Sequence, residues 1–119
     1  MAESPVIVVK VGTSTLTTPQ GDLDLNFMRA LSGQLCQLTR EGLGVVLVTS
    51  GAIRAGMYQL GLSACRDLPS SQAAAAVGQI RLMRVYGDFC RDQGVNTAQI
   101  LLSRGDVANR ERYLNARNT

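Results

Sequence analysis

A chain of 119 residues, 45% of them apolar, is long enough for one modest domain and rich enough in apolar side chains to bury a core, which excludes a disordered segment. Lys+Arg exceed Asp+Glu by 12 to 9, and a net charge of +3 is too small to argue by itself for a nucleic-acid partner. Histidine is absent, which removes Ser-His-Asp and Cys-His nucleophile activation, HExxH zinc sites and a histidine general base from these residues.

Pro5 precedes Val6-Ile7-Val8-Val9, a β-branched run with no polar alternation, which predicts a strand buried on both faces. It stops at Lys10-Val11-Gly12-Thr13-Ser14, and a loop or short hairpin follows. There Pro19-Gln20-Gly21 suits a type I turn with Pro at its second position and Asp22 just beyond the tip. From Asp24, read as an N-cap, Phe27/Met28, Leu31, Leu35 and Leu38 recur at helical spacing until Gly42 supplies a stop. Val45-Val46-Leu47-Val48 repeats the buried-strand signature and runs straight into Thr49-Ser50-Gly51-Ala52, after which Ile53, Met57 and Leu60 form a short helical stripe.

Beyond an irregular stretch through Asp67-Leu68-Pro69, a long helix is predicted from Ser70/Ser71 to Arg91, closed by Gly94. Its first half, Gln72-Ala73-Ala74-Ala75-Ala76-Val77-Gly78, is small all round and lets another backbone approach closely, either within the fold or at a subunit interface. Val95 to Leu102 reads as a third strand, and Asp106 as the N-cap of a last helix carrying Arg110, Arg112, Tyr113 and Leu114. The alternation predicts an α/β fold, a mainly parallel open sheet with helices on both faces. Three strands are few for such a sheet, so the chain reads as part of a larger domain.

Cys36, Cys65 and Cys90 are widely spaced, without CxxC, and fit neither a disulfide framework nor a thiolate zinc site. A reducing cytoplasm is the expected home; Cys36 and Cys90 are expected as small core or boundary hydrophobes. No apolar run approaches the roughly 20 residues of a membrane span. The arginines at 104, 110, 112 and 117 are interleaved with Asp106 and Glu111 and have only Tyr113 as aromatic company, so intramolecular ion pairs are expected rather than an RNA-binding patch.

In an open α/β sheet the ligand crevice lies at the carboxyl ends of the strands. Lys10 with Gly12 and Thr13 puts an ammonium beside a turn whose N–H groups can face an anion, although GxxxxGK[ST] is not met and a solvated lysine is the plainer reading. At Ser50-Gly51-Ala52 a hydroxyl, a missing Cβ and the start of a helix meet; they suit a carboxylate or phosphate, or Ser50 simply caps the helix. Phosphoryl transfer to a carboxylate needs no general base, since the nucleophile is already ionised; it needs positive charge and alignment.

Val8-Val9-Lys10-Val11-Gly12-Thr13-Ser14, Val48-Thr49-Ser50-Gly51-Ala52-Ile53 with Ala55-Gly56, Gln72 to Gln79, Gln99 to Arg104, and Arg110 to Thr119 together closely resemble the glutamate 5-kinases of the amino acid kinase family. The resemblance implies a three-layer αβα sandwich, ATP with Mg2+, and phosphorylation of L-glutamate to L-glutamyl 5-phosphate, the first step of proline synthesis. It implies Lys10 as the catalytic, phosphate-contacting lysine, Gly12 and Thr13 in the turn beside the ATP phosphates, and Ser50 with Gly51 and Ala52 at the glutamate. No metal-ligating residue is assigned. Proline as feedback inhibitor and a homo-oligomer are further implications. The matching blocks cover the N-terminal, glutamate-binding part of such a domain (1–119), so the nucleotide-binding remainder and any PUA module are expected elsewhere and the chain reads as a fragment. Acetylglutamate kinase, aspartokinase and the kinase half of a pyrroline-carboxylate synthase remain alternatives, as does, in another class, a non-catalytic dimerisation or RNA-binding module.

Overall fold

The computed structural model describes residues 3–119; Met1 and Ala2, the start of the stretch read as one domain, lie outside the described residues. In chain order the elements are β1 (Val6–Val11), α1 (Thr13–Leu16), α2 (Leu25–Arg40), β2 (Gly44–Thr49), α3 (Ala52–Leu60), α4 (Leu68–Asp92), α5 (Arg104–Ala108) and α6 (Arg110–Asn118). The two strands pair in parallel, Val6 opposite Gly44 through Val11 opposite Thr49. A parallel pair needs a crossover, and α2 supplies it.

Local chemistry accounts for the helix boundaries. The Asp24 carboxylate accepts from the Phe27 N–H at the start of α2, and Asp67 does the same from Ser70 N–H for α4. Helix α4 therefore begins at Leu68 with Pro69 inside its first turn, earlier than Ser70, because the supposedly irregular Asp67 is its cap and a first-turn proline forfeits no helical hydrogen bond. Between strand and α2, the Gly21 N–H bonds Thr18 C=O at 2.9 Å across the Pro19-Gln20 corner, and Thr17 bridges Leu23, so a small hairpin forms where one was expected. The single turn of α1 was not legible, since Thr13 to Leu16 carry no repeating apolar period.

The core lies on one face of the sheet. Val11, Leu16, Leu23, Met28, Ala55, Leu82 and Tyr86 are buried together, with Val9, Leu47, Phe27, Leu31 and Val85 packed against them. Cys36 and Cys90 are buried, as expected of small hydrophobes. The other face of the sheet is bare: Val6 and Val8 are 61% and 64% exposed, Val46 and Val48 47% and 50%. The parallel pairing and mixed α/β character match expectation. Burial of both faces does not occur, because all the helix packing among the described residues falls on the Val9/Leu47 side.

Two further expectations are corrected. Residues 95–102 form no strand; a strand exists only against a partner, and this segment has none to pair with among the described residues. Nor is Asp106 an N-cap. Ser103 caps α5, with Asp106 three residues on returning the bond to the Ser103 N–H as a reciprocal box, and Asn109 then caps α6.

The small-residue stretch of α4 is used within the fold, against α3. A Cβ placed on Gly56 would lie 1.7 Å from Ala74 C=O, and one on Gly78 would lie 1.8 Å from Ala52 C=O. The two backbones therefore touch through a reciprocal Ala/Gly pair on each helix. A second tie fixes the hairpin to α4, where Arg81 hydrogen-bonds the Asp22 carboxylate. Burial pushes the Asp22 pKa up, but hydrogen bonds from Arg81 and from the Leu23 N–H, with the Arg81 charge, outweigh it and leave the carboxyl below its ordinary value.

Gly78→Ala is expected to cost more than about 2 kcal/mol, seen as a lower urea midpoint. Gly33→Ala, whose new methyl would find its nearest neighbour at 3.9 Å, should instead leave stability unchanged or raise it by up to about 1 kcal/mol through helix propensity. Because Asp22 is depressed in the folded state, its contribution is complete above the unfolded pKa and disappears as pH falls through the lower folded value. The melting-temperature gap between wild type and Asp22→Asn should accordingly be full at neutral pH and close below about pH 4; a gap that persists in acid would refute the role given to this pair.

Candidate functional site

The parallel register sets both strand ends level, Lys10 opposite Val48 and Val11 opposite Thr49. Pairing continues one step into the loop, where the Ser50 N–H donates to Val11 C=O at 3.0 Å. The turn after β1 and the loop after β2 thus lie side by side. Each leads into a helix: Gly12 C=O accepts from Leu16 N–H at 3.2 Å to open α1, and Gly51 C=O accepts from Ala55 N–H at 2.9 Å to open α3.

Gly51 is the N-cap of α3, at φ +108°, and no side chain caps this helix. Ser50 is therefore not the cap. Its exposed hydroxyl has no described partner within the fold, which leaves it available to a ligand. The backbone requires Gly51 in its own right. A left-handed φ disfavours any Cβ, and a Cβ here would also lie 2.7 Å from Leu16 Cδ2. Leu16 is wholly buried, so the turn is seated on the core through the leucine that ends α1.

Behind the loop, Thr49 Oγ1 and the Tyr86 hydroxyl lie 2.9 Å apart, joining the end of β2 to α4. Burial raises the Tyr86 pKa, opposed in part by this hydrogen bond, so the phenol stays neutral.

Thr13, Thr49, Ser50, Gly51, Ala52, Ile53, Arg54 and Met57 line one open depression of about 450 Å³. Four of the residues singled out in the sequence, Thr13, Ser50, Gly51 and Ala52, are brought together there. Gly12 is next to Thr13 in the turn, exposed, and a Cβ on it would meet nothing within 4 Å. Lys10 is not part of the lining; it stands exposed on the bare face of the sheet, two residues before Gly12 at the same strand end. A second depression of about 320 Å³, lined by Gln20, Gly21, Arg54, Met57, Tyr58, Gly61, Leu62 and Ser63, adjoins the first. Arg54 and Met57 belong to both walls. Sequence reasoning missed Arg54, whose available signal was a cation in the first turn of a helix that has no acidic residue there.

Among the described residues no cluster of three or more His, Cys, Asp or Glu gathers. No described helix is long and apolar enough to cross a membrane.

The family model that matches residues 5–119 is that of the amino acid kinase family. Over 120 residues the chain is 51% identical to a protein of Moorella thermoacetica named glutamate 5-kinase, covering 100% of this chain and 32% of that relative. A glutamate 5-kinase of Synechococcus elongatus is 50% identical over 121 residues, 98% of this chain and 32% of its own length. One from Pelobacter propionicus is 46% identical over 114 residues, with 95% and 31% covered. The chain spans about a third of the length of these curated relatives.

Separate roles for neighbouring residues follow from this geometry. Gly51→Ala should cost about 2 kcal/mol or more, through its backbone conformation and the collision with Leu16. Ser50→Ala should change stability by less than about 0.5 kcal/mol, since the hydroxyl is exposed and caps nothing. Chemical denaturation of the two variants checks both, and a large loss for Ser50→Ala would return the serine to a structural role.

Proposed function

Because this chain belongs to the amino acid kinase family, we propose that it forms the acceptor-binding portion of an ATP-dependent kinase that phosphorylates the side-chain carboxylate of L-glutamate to L-glutamyl 5-phosphate, the first step of proline biosynthesis. The observation that carries the reading is the shared depression at the strand ends, where Thr13 meets Ser50, Gly51 and Ala52 beside the start of α3. Free N–H groups at a helix start and a serine hydroxyl favour an anion. Relatives named glutamate 5-kinase, about half identical along the whole chain, supply the substrate.

In this reading the acceptor carboxylate lies against Ser50, Gly51 and Ala52. The space over Gly12 is open, so that a phosphate can approach its backbone, with Thr13 beside it. ATP supplies the phosphoryl group when bound, and Mg2+ accompanies the nucleotide. Lys10, on a long flexible stem at the same strand end, neutralises charge that moves on to the phosphoryl oxygens. The absence of histidine is no obstacle, because the attacking carboxylate is already ionised at neutral pH. Cytoplasmic location, homo-oligomer assembly and proline inhibition come with the reading from the resemblance alone.

A segment exchange tests the proposal. These 119 residues should replace the matching segment of the Moorella thermoacetica relative and yield a chimera that makes hydroxylamine-trappable acyl phosphate from glutamate and ATP. In the chimera, Lys10→Ala should lower kcat by about two orders of magnitude or more, and Ser50→Ala should chiefly raise the KM for glutamate. A folded chimera without activity, or one indifferent to Lys10→Ala, contradicts the assignment.

A further inference from the structure

One charged residue at this site has no part in the reading above. Arg54 is the third residue of α3 and lines both depressions, so that its side chain, with Met57, is the wall between them. A cation in the first turn works against the helix dipole, which favours negative charge at that end. Among the described residues no carboxylate pairs with it. The ion pairs found among the described residues are Arg81 with Asp22, Arg91 with Asp88 and Arg112 with Asp106, and Arg54 is in none of them. Asp22, which follows Gly21 in the hairpin, is already taken by Arg81.

The guanidinium nevertheless has a neighbour. It lies against the hairpin at Gly21, where a Cβ would sit 3.0 Å from Arg54 Nε, 3.2 Å from Nη2 and 3.4 Å from Cζ. A glycine at φ +93° lets the planar group rest on bare backbone. An exposed guanidinium that enters none of those ion pairs, lines two open depressions and stands beside a helix start suits an anion with two acceptor oxygens.

We propose that Arg54 is the carboxylate-recognising residue of the acceptor site: it pairs with the non-reacting carboxylate of a dicarboxylic amino acid that lies across the two depressions, its other carboxylate reaching Thr13 and Ser50. The inference rests on the acceptor-site reading above. The assignment to the non-reacting end follows from chemistry, since a guanidinium clamped on the attacking carboxylate would occupy the lone pairs the transfer needs. Arg54 thereby sets specificity, separating a free acid from its amide, while the phosphoryl-transfer groups lie elsewhere.

The test compares L-glutamate with its α-amide, L-isoglutamine, as ligands of the isotope-labelled chimera, with amide chemical shifts of these 119 residues as the readout. Wild type should bind glutamate about ten-fold more tightly than isoglutamine, the worth of one charge-assisted hydrogen-bonded pair. Arg54→Gln should bring glutamate down to the isoglutamine level without altering isoglutamine binding, and Arg54→Lys should keep part of the preference. An Arg54→Gln protein that retains the wild-type preference, with Thr13 and Ser50 still shifting, overturns this inference and leaves the acceptor site standing. If glutamate moves none of Thr13, Ser50 and Gly51 in wild type, the acceptor site and this inference both fall.

Discussion

The backbone contact between α3 and α4 is the constraint on which the arrangement of the site depends. Gly56 lies over Ala74 and Gly78 over Ala52, so two helices meet with no side chain between them at either point. Contacts this close leave little freedom to slide or tilt, because any displacement turns van der Waals contact into overlap or a void. Ala52 is also the first residue of α3. The same contact that locks the helix pair therefore fixes the start of α3, and with it the loop of Ser50 and Gly51, relative to α4. From the other side the Ser50 N–H is bonded to the end of β1. The loop is pinned between a sheet and a helix pair, which holds an exposed hydroxyl in a defined position.

Charge is distributed around this frame unevenly. Arg81 on α4 and Arg54 on α3 both approach the hairpin of residues 17–23, but only Arg81 finds a carboxylate there. Asp22 thus serves stability and leaves the neighbouring guanidinium free. Hairpin, α3 and α4 are tied by the first arginine, and the second is presented to solvent between two depressions. Removal of Asp22 would consequently reach beyond the Arg81 ion pair, since the hairpin it anchors is the surface on which Arg54 rests.

Much of the fold was legible because the signals were local. Asp24, the apolar stripe after it and the two β-branched runs each specify an element from within a few residues, and the structure places α2, β1 and β2 where those signals lie. Errors fell where the deciding partner is remote in sequence. Residues 95–102 carry β propensity, but propensity cannot supply the neighbouring strand, and the backbone stays unpaired. At the last helices the capping signal lies three residues from the expected Asp106: in Ser103-Arg104-Gly105-Asp106 the aspartate answers the serine as its reciprocal partner. For the site, the loop could be read from local sequence, but what holds its glycine in place could not. Gly51 is demanded by its φ and by Leu16, a residue some thirty-five positions away that no local pattern connects to it. Arg54 went unnoticed because its significance is a missing partner, which only three dimensions reveal.

Lys10 shows how the environment decides what a charge is worth. It shares the bare face of the sheet with Val6, Val8, Val46 and Val48, apolar side chains whose run is that of strands covered on both sides. Open to water, an ammonium at this strand end acts through a high dielectric, and its attraction for a phosphate several ångströms away is weak. Cover over that apolar row excludes water from the lysine stem as well as from the valines, and the same charge at the same distance then acts through a medium of far lower polarisability. In the proposed function, the contribution of Lys10 to phosphoryl transfer is therefore set less by its own position, which the register with Val48 already fixes, than by what lies on the valine face beside it.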